Sequence, residues 1–200
     1  TIKLSSGNLS HKAFAEMAAQ QGVIIGRSNY TTSLPPGTKD ASPAPSDSLC
    51  YQQKRILMGS IGATDTIIIV DNPEHLEEIG SWEDHAVSLN MIKIGKELIH
   101  YLGVSEKKPY RLLNVKRGYW NTRPTAHTAG DTIFKLQVTF SYGYDGLIPN
   151  MQLQDKIAEY YAEVCKINGL AYYDFDGQEF LFNNGHGYYS AKRFFRKMFE

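Results

Sequence analysis

The sequence contains no run of about 18 apolar residues, so no stretch of it reads as a membrane-spanning helix. It has only two cysteines, Cys50 and Cys165, and no Cys-x-x-Cys spacing. Their spacing gives no sign of a thiolate metal site, and two free thiols do not fix a compartment. There is no excess of charge: 21 Lys+Arg stand against 21 Asp+Glu. The balance gives no reason to expect a nucleic acid or an anionic membrane as a partner, and no nucleic-acid partner is expected. Neither an initiator methionine nor a signal peptide precedes Thr1, which reads as a processed protein or part of a longer chain.

The 200 residues, 42% hydrophobic and 21% charged, suit one large soluble domain or two small ones. Thirteen tyrosines offer apolar faces with polar tips, a chemistry suited to sugars, although strand and core positions absorb most such residues.

Ser10 is a suitable N-cap for a helix over residues 11–21, with Gly22 as its stop. Val23, Ile24 and Ile25 follow as an apolar run of the kind found in a strand covered on both faces. The polar segment 26–32 comes next, with Arg27, Asn29 and Tyr30 as candidate ligand-binding residues or the start of a solvated loop. Residues 34–48 hold four prolines and read as a loop or linker that ends a first segment, 1–48.

Over residues 49–137 the pattern changes to short β segments, an inserted antiparallel β domain. Residues 66–70 read as a β-branched strand closed by Asp71-Asn72-Pro73. Residues 91–101 read as a hairpin in which Gly95 opens a type II′ turn. Strands are also expected over 111–115 and 132–140. This region resembles a recurrent β module of bacterial surface, phage-tail and carbohydrate-active proteins. The likeness rests on Lys93-Ile94-Gly95-Lys96-Glu97-Leu98-Ile99-His100-Tyr101, on Leu113 to Gly118, and on Thr122, His127 and Gly130. Asn121 stands where that pattern usually has glycine. Glu97, Arg117 and His127 admit a site or a structural pairing, and pairing of Glu97 with Arg117 is the preferred reading.

A third segment, 138–200, begins with loop-like residues that include Tyr142, Tyr144 and Asp145. Residues 150–168 form an amphipathic helix, with Leu153, Ile157, Tyr160, Tyr161 and Val164 on one stripe and Asn168-Gly169 as its stop. The strand 170–179 then ends in Asp174, Asp176 and Glu179. Strand alternation puts Tyr172, Asp174 and Asp176 on one face and Tyr173 and Phe175 on the other. Paired carboxylates so placed have the residues glycoside hydrolysis needs, one to protonate the leaving oxygen and one to attack or to activate water. Ca²⁺ or Mg²⁺ ligation and helix capping stay open as alternatives. His186 lies in a Gly/Asn loop before a last helix over 188–199, with Ala191, Phe194, Phe195 and Met198 inward.

The order helix, strand, β insertion, helix, Asn-Gly, then Tyr-Asp-Phe-Asp-Gly-Gln-Glu resembles part of a (β/α)₈-barrel glycoside hydrolase of bacterial polysaccharide degradation. That resemblance implies an α/β fold, a partial TIM-like barrel interrupted by the β domain. It implies catalytic Asp174, Asp176 and Glu179 at a mouth lined by Arg27, Asn29, Tyr30, Tyr142, Tyr144, Asp145, Tyr172 and His186. It further implies a carbohydrate substrate, no cofactor, and a secreted, periplasmic or cell-surface location. A non-catalytic carbohydrate- or surface-binding protein is the rival expectation.

Overall fold

The computed structural model describes residues 10–30, 33–82, 85–141, 144–176 and 186–200. The elements in chain order are α1 (His11–Gln20), β1 (Gly26–Tyr30), β2 (Tyr51–Ile56), β3 (Ile79–Trp82), β4 (His85–Ser88), β5 (Met91–Ile94) and β6 (Glu97–His100). They continue with β7 (Gly103–Val104), β8 (Leu112–Leu113), a 3₁₀ turn (Tyr119–Asn121), β9 (Thr132–Leu136), β10 (Val138–Ser141) and β11 (Tyr144–Leu147). Helix α2 (Met151–Asn168), β12 (Tyr172–Asp176) and α3 (Gly187–Phe199) complete the set. The chain divides into two compact units, Thr1–Thr32 with Met151–Glu200, and Ser33–Asn150.

In the first of these units, Ser10 caps α1 by accepting the Ala13 N–H at 3.2 Å, and Gly22 takes φ +71° just past its end. Strands β1 and β12 pair in parallel. Phe175 projects from β12 into a cluster with Ala158 of α2 and Phe194 and Met198 of α3, and Tyr161, Tyr173 and Phe195 pack against it. The Phe175 ring lies 4.7 Å from Tyr173, 5.8 Å from Tyr161, and 5.2 Å from Phe194 in a T-shaped contact. The two helices are also tied by Arg193, whose Nε and Nη2 donate to the Asp155 carboxylate at 2.8 and 2.6 Å. That guanidinium holds Asp155 below the usual carboxylate range.

The Ser33–Asn150 unit is built on a four-stranded antiparallel sheet of order β2-β9-β5-β6, with the hairpins β3–β4, β7–β8 and β10–β11. Gly95 takes φ +56° in the β5–β6 turn and Lys96 does not have a positive φ, as a type II′ turn needs. Every residue of β5 is buried. Ile92, Ile94, Ile99 and Ile133 join Leu57, Ile68 and Tyr101 in one core cluster, while Met91, Lys93 and Leu98 are buried on the other parity of the same strands. Lys135 is fully buried; its ammonium donates to Glu78 at 3.1 Å and to the Leu89 and Leu136 carbonyls. Burial pushes that lysine below its ordinary value against the opposing pull of Glu78.

Several expectations change here. A (β/α)₈ barrel needs eight parallel strands in a closed ring. Among the described residues the single parallel pairing is β1 with β12, and the other named strands pair antiparallel in small sheets. With three helices in the described chain, a partial TIM-like barrel is not what this chain forms. The first strand is not the apolar run 23–25: Ile24 is 74% exposed, and the strand is the polar segment Gly26–Tyr30 that follows. The loop expected around Tyr144 and Asp145 is strand β11, paired with β10. The proline-rich segment falls inside the Ser33–Asn150 unit, where Ala41 is fully buried.

Asn121 answers the question posed by the missing glycine. It takes φ +61° and follows Trp120 at φ +54°, so asparagine holds the left-handed conformation that glycine would otherwise supply. Asn121→Val is expected to cost about 1–2 kcal/mol, because a β-branched residue pays the left-handed penalty in full. Urea denaturation checks this, with Asn121→Gly as the tolerated control.

Candidate functional site on an open parallel strand pair

Register places Ser28 beside Asp174 and Tyr30 beside Asp176, while Arg27 and Asn29 sit beside Tyr173 and Phe175. Neighbours across a sheet share a face, so the two parities of this strand pair are chemically distinct. One faces α2 and α3 through Tyr173 and Phe175. The other is open and carries Tyr172, Asp174 and Asp176, all exposed. The aromatic cluster behind the strand explains why the acids point away from the helices: buried carboxylates there would lack donors.

Ser28 Oγ donates to Asp174 Oδ2 at 3.4 Å, a long hydrogen bond across the two strands. Gly26 is required on this face, because a Cβ there would stand 2.5 Å from Tyr172 Cδ1 and 2.7 Å from its carbonyl oxygen. The Tyr172 ring therefore lies along β1 where β1 has no side chain, and is 59% exposed. Along β12 the Cα atoms of Asp174 and Asp176 are roughly 6.5–7 Å apart.

The anticipated residues do not all gather here. Arg27 is exposed but occupies the parity of Tyr173, the face opposite the acids, so the structure does not set it beside them. Asn29 and Tyr30 have the register positions given above, and their side chains lie outside the described residues, as do those of Tyr144 and Asp145. Glu179 and Tyr142 lie outside the described residues altogether. Tyr144 and Asp145 belong to the Ser33–Asn150 unit, in β11. His186 is half-buried at the start of α3, where its carbonyl accepts the Ser190 N–H at 3.4 Å. Ser28 was the residue missed: with segment 26–32 read as a loop, strand parity was not applied to it. Among the described residues, no three His, Cys, Asp or Glu side chains converge as a metal-holding set.

Glu97, Arg117 and His127 do converge, inside the Ser33–Asn150 unit. Arg117 Nε and Nη2 donate to the two Glu97 oxygens at 2.7 and 2.8 Å, and His127 Nε2 lies 2.8 Å from Oε2. The Gly118 and Thr125 N–H groups also donate to that carboxylate, at 3.0 and 3.1 Å. Glu97 is fully buried. Burial opposes its ionisation, yet Arg117, His127 and the two backbone donors together hold it below its ordinary value of 4.5. A carboxylate with five donors and no exposed surface is a structural centre. It has no lone pair to offer a ligand.

Compared with family models and with curated proteins, the chain gives no match.

Proposed function

We propose that the open face of β12 binds a carbohydrate and that Asp174 and Asp176 act on its glycosidic bond. The observation that supports this is the juxtaposition of an exposed aromatic ring with two carboxylates on one strand parity, at the carboxyl end of a parallel pair. The Tyr172 ring offers an apolar surface to the C–H face of a pyranose. The acids, a few ångströms further along, accept hydrogen bonds from its hydroxyls and flank the acetal, one as proton donor and the other as base or nucleophile.

A second reading is favoured by the exposure of both acids. A glycosidase proton donor works best when shielded from water or crowded by a like charge, so an open pair also suits binding without cleavage.

A screen of neutral and acidic oligosaccharides, for binding and for release of reducing ends, separates the two. Asp174→Asn and Asp176→Asn are exposed substitutions that leave the fold within about 0.5 kcal/mol of the parent. Each is expected to cut turnover by about 10²–10⁴-fold while binding persists. Tyr172→Ala is expected to weaken binding about tenfold, roughly 1.4 kcal/mol. Binding with no cleavage across the screen, using the protein at its full natural length, rejects hydrolysis in favour of the second reading. Absence of binding rejects both.

A further inference from the structure

The Ser33–Asn150 unit carries a cleft of about 470 Å³, on the loop that follows β2. Its apolar surface comes from Ile61, which is buried, Ile69, which is half-buried, and Ile67, which is 60% exposed. Ser60, Thr64 and Thr66 add three hydroxyls, and Asp65 a single carboxylate. No lining residue is cationic. Among the described residues, no hydrogen bond occupies the hydroxyls of Thr64 or Thr66.

The loop is held from the core side. Arg117, anchored on buried Glu97, donates its Nη1 to the Gly62 carbonyl at 2.9 Å and to the Asp65 carbonyl at 2.7 Å. The Gly62 N–H donates to Asp65 Oδ2 at 2.7 Å, the Ala129 N–H donates to Ser60 Oγ at 3.0 Å, and Ile61 exchanges two backbone bonds with His127. The backbone of the lining is therefore fixed before any ligand arrives, so little ordering entropy remains to be lost on binding.

We propose that this cleft is a second carbohydrate subsite, specific for neutral sugars of one or two rings. The volume lies in the range of small-molecule sites. The isoleucines meet the C–H face of a ring, while the threonine hydroxyls and the open Asp65 oxygen exchange hydrogen bonds with its hydroxyls. The lining's single negative charge repels uronates and phosphorylated sugars, since no lining residue is cationic and the Arg117 charge behind the loop is neutralised by Glu97. This assignment rests on the carbohydrate reading of the chain but uses none of the residues of the β12 face.

The test is an NMR titration of the ¹⁵N-labelled Asp174→Asn/Asp176→Asn double variant, in which no cleavage confuses the readout. The probes are glucose, xylose, cellobiose and maltose, with glucuronate and glucose 6-phosphate as anionic counterparts. Saturable shifts are expected at residues 59–69 with the neutral probes at millimolar concentration and not with the anionic ones. Thr66→Val and Asp65→Asn, both at exposed positions, are each expected to weaken binding about 3- to 10-fold. No saturable shift at 59–69 with any neutral probe overturns the proposal, as does equal binding of glucuronate. Cleavage by the parent protein with a silent cleft rejects this subsite alone. Shifts at the cleft with no cleavage by the parent reject only the hydrolysis assigned to Asp174 and Asp176.

Discussion

Glu97→Ala is expected to destabilise the Ser33–Asn150 unit by about 3–5 kcal/mol, the cost of breaking a buried ion pair from one side. The variant leaves the Arg117 guanidinium, 6% exposed, without its two carboxylate acceptors. The Gly118 and Thr125 N–H groups lose their acceptor as well. Two surviving sets of bonds, from Arg117 to the Gly62 and Asp65 carbonyls and to the Thr125 carbonyl, no longer have a charge to hold them in line. Hydrogen exchange read by mass spectrometry checks the effect, with protection lost over peptides spanning residues 57–133. A loss under 1 kcal/mol in urea would show that the cluster contributes little. Replacing Glu97 and Arg117 together by apolar residues of similar volume is expected to cost less than Glu97→Ala alone, because no charge is left buried.

The same centre sets an acid limit. Glu97 is held below its ordinary 4.5 in the folded chain, so its contribution is complete above about that pH. As pH falls through the lower, folded value the carboxylate takes up a proton and the contribution disappears. Urea midpoints for the parent are expected to drop on acidification below about 4.5, and the Glu97→Ala variant is expected to show a shallower drop.

Phe175→Ala is expected to cost the unit containing β12 about 3–5 kcal/mol. Phe175, 8% exposed, is the ring through which β12 meets both helices, with Tyr161, Tyr173, Phe194 and Phe195 all in ring contact. Its truncation removes burial, opens a cavity among stacked rings and forfeits aromatic pairs worth about 0.5–1.5 kcal/mol each. Exchange protection is expected to fall in α2 and α3 while the β5–β6 hairpin is unchanged. Equal loss of protection in the hairpin would contradict the division of the chain into two units.

Local features were legible in the sequence wherever a short-range rule decides them. Ser10 as N-cap, Gly95 in the hairpin turn, Gly169 at φ +63° after α2, and the inward set Ala191, Phe194, Phe195 and Met198 of α3, with Phe195 half-buried, all follow from capping, turn stereochemistry or a period of 3.6. The parity of Asp174 against Phe175 was legible for the same reason. Other features depend on contacts between distant residues. A helix followed by a short strand fits any α/β layer, and strand number and closure are not written into one repeat, so the barrel was over-read. Val23, Ile24 and Ile25 looked buried because apolar runs usually are, whereas β1 takes its pairing from β12, some 145 residues later. Tyr160 belongs to the apolar stripe of α2 by spacing yet is 61% exposed, because the cluster around Phe175 engages Ile157 and Tyr161 instead.

Leu34 and Leu147 exchange both backbone hydrogen bonds, and Cys50 donates to Ile148, so the two ends of the Ser33–Asn150 unit are clasped at its base. During synthesis β1 leaves the ribosome long before β12 exists, and a parallel pair cannot form from one strand. The clasp needs only residues up to about 150. Once it closes, the separation between the two strands is no longer a free coil of well over a hundred residues but the few residues before Leu34 and the stretch after Leu147 that carries α2. By loop-closure scaling that shortening is worth on the order of 1–2 kcal/mol to the later pairing. The topology thus favours an order of assembly in which the β unit closes before residue 26 pairs with residue 172.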